Sequence, residues 1–367
     1  MFTNRNSYLS IIAMALIHCI CFSVMAEPAQ KTYPLSPDDP EAQIDASYLD
    51  IPAIVPPSPD QWGKAPRRKA QGLKVYDVEA GQEIWDFQDN SISFKEGKKL
   101  PRQAFEPGYQ GEVELYDSDA EAAIQENTTM EDDPNSDADS QDTNSAIVPE
   151  SVCGTDNRVK INPATSYPWR THCKIYITFP DGARFVGSAT MIGTKKAITA
   201  GHCVHDKSHG GWAKSIEVIP GFSCGTKSYG SAWATYYLSW TGWTNYKDPC
   251  HDMGIICLDR TIGNTVGWLG YGYWSSLSGV TAHISGYPAD RDGGLCQYYH
   301  YGGLSSLTTS YRIYYEIDTY GGQSGSGAYQ IISGNRYVIG AHAYGPCPNS
   351  ATRITSSKFS SIQGFCN

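Results

Sequence analysis

Thr199-Ala200-Gly201-His202-Cys203 places an imidazole directly after a short apolar run, and Gly321-Gly322-Gln323-Ser324-Gly325-Ser326 places a hydroxyl in a glycine-rich turn. A hydroxyl is a poor nucleophile unless a base takes its proton during attack. Glycines around it let main-chain N–H groups approach a developing oxyanion without side-chain obstruction. A carboxylate must then orient the imidazole. His251-Asp252-Met253-Gly254-Ile255-Ile256 offers one, Asp252, where an apolar run begins. Nucleophile Ser324, base His202 and orienting Asp252 would together perform acyl transfer. Each residue also has an ordinary structural reading: a satisfied core histidine, a turn serine, an aspartate at a strand end. Their joint occurrence in one cysteine-rich β region favours the hydrolase.

The elements that must position these groups are short strands. Between residues 151 and 367, strands are predicted at 174–179, 184–191, 196–199, 215–219, 232–238, 253–258, 280–285, 297–301, 311–317, 327–332 and 336–341. Pro180-Asp181-Gly182, Pro220-Gly221 and Ser333-Gly334-Asn335 are among the turn signals that separate them. A helix is expected only near 356–362. This pattern predicts an all-β sandwich or barrels.

The first 150 residues differ. Arg5 precedes the apolar run from Ile11 to Phe22, with Val24 and Ala26 at small-residue positions before Glu27. Residues 1–26 are therefore expected to be a secretory signal peptide. The run is too short and weakly flanked for a stable span, so a secreted protein without membrane attachment is expected. Residues 27–150 carry 27 acidic and 10 basic side chains; residues 151–367 carry 11 acidic and 17 basic. An acidic pro-segment and linker, mostly irregular and proline-rich at 27–66, would thus precede a basic domain, either attracting it or simply staying solvated. A small ordered piece within 72–116 is compatible with Val75, Ile84, Trp85 and Phe94. The basic excess is unclustered, which gives no support for nucleic-acid binding.

The nine cysteines beyond residue 150 predict disulfides in an exported domain, with at least one left over. Cys257, inside an apolar run, reads as a buried thiol. No Cys-x-x-Cys pair or His-Glu-x-x-His motif is present, so neither a metal nor another cofactor is expected. The order His, Asp, Ser is that of chymotrypsin. An α/β-hydrolase would need an acid after the serine, and no Asp or Glu follows Ser324. The subtilisin order would have only Asp156 or Asp181 to use in this domain, and that fold needs long helices.

With these motifs the chain resembles the secreted bacterial glutamyl endopeptidases, which are chymotrypsin-fold serine peptidases. Thr199 to Cys203 resembles their histidine motif, and Asp318-Thr319-Tyr320 through Ser326 their serine motif. Ser151-Val152 through Val159, Gly263 to Gly267, Ile284 to Pro288 and Thr352 to Thr355 are similar as well. The resemblance covers essentially all of 151–367 and implies two six-stranded antiparallel barrels, a short C-terminal helix and a site between the barrels. It implies Ser324 as nucleophile, His202 as base and then acid, and Asp252 as orienting carboxylate. The N–H groups of Gly322 and Ser324 would form the oxyanion hole. His342 and Thr319 would recognise a glutamate side chain.

Asp318 points the other way, since trypsin-like enzymes hold an acid six residues before the serine to select Arg or Lys. That specificity, or a non-catalytic binding protein on a peptidase scaffold, is the alternative. The family-like start at Ser151 implies removal of a segment ending in Glu150, a bond that a glutamate-selective enzyme could cut. The expected partners are peptide or protein substrates and the chain's own pro-segment as inhibitor, with the protease acting as a monomer. Phe185-Val186-Gly187-Ser188 lacks the relatives' usual cysteine, so Cys203 must pair elsewhere, with Cys173 for instance, or stay free.

Overall fold

A computed structural model describes residues 32–64, 72–87, 102–109 and 151–366, of which all from Tyr33 onward belong to one unit. The expected signal peptide, Glu150 and most of the linker before it lie outside these residues.

Six strands rich in β-branched residues close the first barrel. His172–Thr178, Arg184–Met191, Lys196–Thr199, Gly254–Leu258, Ala232–Trp240 and Ser215–Pro220 pair antiparallel in that order, and Ser215–Pro220 returns to His172–Thr178. Closure removes the exposed edges an open sheet would carry. Ile175, Ile177, Met191, Ile216, Val218 and Ile256 fill the interior. Each such side chain contributes roughly 1.5–3 kcal/mol by leaving water.

The second sheet runs Arg312–Tyr315, Asn349–Arg353, Asn335–Tyr344, Gly327–Ile332, Thr281–Gly286 and Gln297–Gly303. Its ends meet at a single bridge between Leu304 and Tyr315. The first sheet is thus a closed barrel, whereas the second, expected to be another, is a sheet whose two ends are joined only by that bridge. Gly270–Trp274 and Val159–Ile161 extend it. A core of Leu238, Trp240 and Ile255 from the first barrel with Tyr329, Val338 and Ala341 from the second holds the two together. The helix Ser356–Gly364, capped by Thr355 accepting from the Lys358 N–H, buries Phe359 and Ile362.

Parts of the N-terminal segment are ordered into both sheets. Leu73–Asp77 pairs antiparallel with Ala232–Trp240, and Gln82–Phe87 pairs with Leu73–Asp77. Leu73 and Val75 are buried in the core shared by the two sheets. Gln103–Glu106 pairs with Gly270–Trp274. The segment is thus irregular at 32–64 apart from short turns, but its ordered piece contributes three strands.

Among the described residues three disulfides form: Cys153–Cys347, Cys224–Cys296 and Cys257–Cys366. Cys257 is therefore bonded and is not a buried thiol. Cys173 and Cys203 do not pair; both are free and buried, and Cys250 is free as well.

Candidate active site

His202 lies in the short helix Gly201–Val204, which begins just after the Lys196–Thr199 strand. Asp252 follows the turn Pro249–His251 and precedes the Gly254–Leu258 strand. Both therefore come from the first barrel. Ser324 precedes Gly327–Ile332 of the second sheet. All three are wholly buried.

The His202 and Asp252 side chains meet. His202 Nδ1 is 2.8 Å from Asp252 Oδ2, and the His202 main-chain N–H donates to Oδ1, also at 2.8 Å. A carboxylate on Nδ1 places the exchangeable base site at Nε2. Nε2 is buried and makes no hydrogen bond among the described residues; such bonds often form only with substrate present. Burial alone would pull the imidazole down, but the Asp252 carboxylate, helped by the Cys203 side chain, holds it well above the ordinary histidine value.

The serine turn is fixed against the first barrel. Ser188 donates its N–H to Ser324 O at 2.9 Å and its hydroxyl to Gly322 O at 2.8 Å. Gly325 has φ +92°, and a Cβ there would lie 2.1 Å from both Ser188 O and Thr199 Oγ1. Gly322 has φ +100°, and its Cβ would meet Tyr287 O at 2.6 Å. Both positions need a left-handed backbone in a tight gap, which only glycine supplies cheaply. The turn thus packs against Thr199–Ala200, one residue short of His202.

His342 and Thr319 are wholly buried. His342 is tied to the serine turn by its main chain: its N–H donates to Ser326 O at 2.8 Å, and its carbonyl accepts from Gly325 N at 2.7 Å. Its Nδ1 lies 2.6 Å from the Tyr315 hydroxyl. The Thr319 hydroxyl makes no hydrogen bond among the described residues. Asp318 is engaged elsewhere. Its carboxylate accepts from the N–H groups of Cys153 at 2.7 Å and Asn157 at 2.8 Å. Ser151 is held by Asn349, whose Oδ1 accepts its N–H at 3.2 Å, and Ser151 O accepts from Thr319 N.

Two groups near the site gave no sequence signal. Ser188 was legible only as a strand residue, although its hydroxyl also accepts from Tyr287 N. Tyr344 donates its hydroxyl to Asp252 Oδ2 at 2.5 Å. Nothing local distinguishes it among 25 tyrosines.

The N-terminal segment covers this region. Val186 donates to Pro52 O and accepts from Ile54 N, both at 2.8 Å, in a parallel bridge centred on Ala53. A Cβ on Gly321 would lie 3.5 Å from the Ala53 Cβ. Ile54 is buried in a cluster with Ala200, Cys203 and Tyr344. The Trp62 ring stands edge-on to Tyr344 at 5.3 Å, and the Gly63 N–H donates to Lys247 O.

Residues 158–360 match the trypsin family, and the chain belongs to that family. A glutamyl endopeptidase of Bacillus licheniformis is 37% identical over 239 residues, which cover 59% of this chain and 70% of that protein. An extracellular metalloprotease of Bacillus subtilis, so named, is 36% identical over 226 residues, covering 60% and 71%. A solved structure of a Glu endopeptidase in complex with MPD superposes with a TM-score of 0.53 at 30% identity, covering 59% of this chain and 99% of that one. The protein is a serine endopeptidase of the chymotrypsin fold, similar to the glutamyl endopeptidases. The second relative's name implies a metal. Among the described residues no group of three His, Cys, Asp or Glu side chains is placed to hold one.

Proposed function

We propose that the chain is a secreted zymogen whose protease region, from Ser151 onward, cleaves peptide bonds after Glu and less readily after Asp. Ser324 Oγ attacks the carbonyl carbon while His202 Nε2 takes its proton and Asp252 holds the imidazole. The N–H groups of Gly322 and Ser324 hold the oxyanion; losing one such donor typically costs about 10²–10³ in turnover. His202 then protonates the departing amine, and water hydrolyses the acyl-enzyme by the same route in reverse.

The observation that carries the specificity is the contrast between Asp318 and His342. The Asp318 carboxylate is occupied by two main-chain donors, whereas His342 is fixed beside the serine turn with a tyrosine hydroxyl at Nδ1. When Nδ1 accepts from Tyr315, Nε2 carries the proton and is a donor suited to a carboxylate that has left water. The buried Thr319 hydroxyl supplies a second neutral donor. A fluorogenic panel with Glu, Asp, Gln, Arg or Phe before the scissile bond tests this. The expected result is preference for Glu; preference for Arg would overturn it. Replacing His342 by Ala should suppress Glu cleavage far more than it perturbs folding.

Covering of the wholly buried triad by residues 51–63 supports the inhibitory role of the segment ending at Glu150. The relative named extracellular supports export, as does the signal peptide read at 1–26. Full-length chain with Ser324 replaced by Ala, then cut in trans, should present a new N-terminus at Ser151.

A further inference from the structure

We propose that Tyr344 is a positioning residue for proteolysis, holding the Asp252 carboxylate through its hydroxyl. The inference rests on the triad reading above and adds a residue to it. Asp252 receives three donors on two oxygens: His202 N on Oδ1, and His202 Nδ1 with the Tyr344 hydroxyl on Oδ2. The aspartate follows a short turn in the first barrel, while Tyr344 ends the Asn335–Tyr344 strand of the second sheet. The hydroxyl therefore anchors a carboxylate of the first barrel from the second sheet.

The tyrosine is itself held firmly. It is 2% exposed, and the Arg312 guanidinium lies 4.8 Å from its ring centre. The ring is 6.4 Å from that of His202. A wholly buried carboxylate oxygen that loses one donor keeps its desolvation penalty and gains freedom to rotate. Rotation of Asp252 would misalign His202, whose ring orientation depends on it. Burial first, and then the neighbouring carboxylate, push the phenol well above its usual range, so it remains a donor at any pH where the protease works. The charged or titratable groups around this pair are His202, Cys203, Asp248, Cys250, Arg312 and Lys358.

A tyrosine serving only to pack the core would act through its ring, so Tyr344→Phe separates the roles. Tyr344→Phe and Asp252→Asn are made as full chains, and the processed enzyme is quantified by active-site titration. The kcat/KM against pH is then compared with thermal unfolding. Tyr344→Phe should lower kcat about 10–100-fold, the scale of a hydrogen bond to a charged group, with KM within about twofold. The acid limb should move to higher pH, because a carboxylate relieved of one donor stabilises the imidazolium more. Should that variant fail to fold, 3-fluorotyrosine incorporated at this position alone keeps the ring and strengthens the donor; the limb should then move to lower pH. An unchanged kcat and limb in Tyr344→Phe, with Asp252→Asn inactive, overturns the role of Tyr344 alone. For the fluorinated enzyme, an unmoved limb overturns it equally. Full activity in Asp252→Asn overturns the triad reading and this inference with it.

Discussion

Asp318 and Cys153, 165 residues apart, are joined by a hydrogen bond of 2.7 Å from the Cys153 N–H to the Asp318 carboxylate. The bond ties the start of the protease region to the segment leading into the serine turn. Asp318 is also 1% exposed, so this carboxylate has a structural task. Replacing Asp318 by Asn should cost about 2–3 kcal/mol, because one charge-assisted acceptor becomes an amide facing an N–H. Denaturant unfolding in a Ser324→Ala background measures it, and the Glu-over-Arg preference of the active enzyme should persist.

In the proposed mechanism His202 must be neutral to accept the serine proton, and its imidazole is held well above the ordinary value. Activity should therefore be lost as pH falls through a range above that of a free histidine. A kcat/KM profile checks this; an acid limb at or below the ordinary histidine range would contradict it. Asp252→Asn should reduce kcat by about 10³–10⁴.

Three other histidines predict acid sensitivity of the fold. Burial lowers His172 to about 3 and His283 to about 4, and burial with nearby Lys207 lowers His205 to about 4. Each folded value is depressed, so below the ordinary value near 6.5 the unfolded chain binds protons that the folded one refuses. Stability is thus full above about pH 6.5 and is lost as pH falls towards 4, by roughly 2–3 kcal/mol per group. Unfolding of the Ser324→Ala chain at stepped pH should show this slope, and His172→Asn should flatten it.

Trp62 covers Tyr344, and Ile54 is 2% exposed over the serine turn's neighbours. Replacing both by Ala should loosen the cover. Uncut precursor carrying the pair should react with a fluorophosphonate at Ser324 at least several-fold faster than uncut precursor without them.

Titration of denatured, unreduced protease from Ser151 onward should give three thiols, those of Cys173, Cys203 and Cys250. A count of one would mean a further disulfide among them.

The sequence was most readable where chemistry is local. Strands 184–191, 196–199 and 327–332 fall where alternation and turn residues put them, and the glycines of the serine turn announce their backbone. Gly270–Trp274 was missed because alternate glycines hide its strand pattern. The Cys257–Cys366 bond spans 109 residues, and apolar neighbours made Cys257 resemble a free thiol. Tyr344 lies 92 residues from Asp252, and only the approach of the two sheets creates that contact. The N-terminal strands were obscured by acidic, proline-rich surroundings, and partner strands supply the hydrogen bonds they cannot make alone.

The ladders binding Leu73–Asp77 to Ala232–Trp240 and Gln103–Glu106 to Gly270–Trp274 would survive hydrolysis after Glu150. Severing that one peptide link turns a tethered segment into a free ligand, whose grip then depends on how dilute the mixture is. Proteolytic power would emerge when the fragment drifts off or is digested, so a crowded pool of cut molecules stays quiet longer than a sparse one.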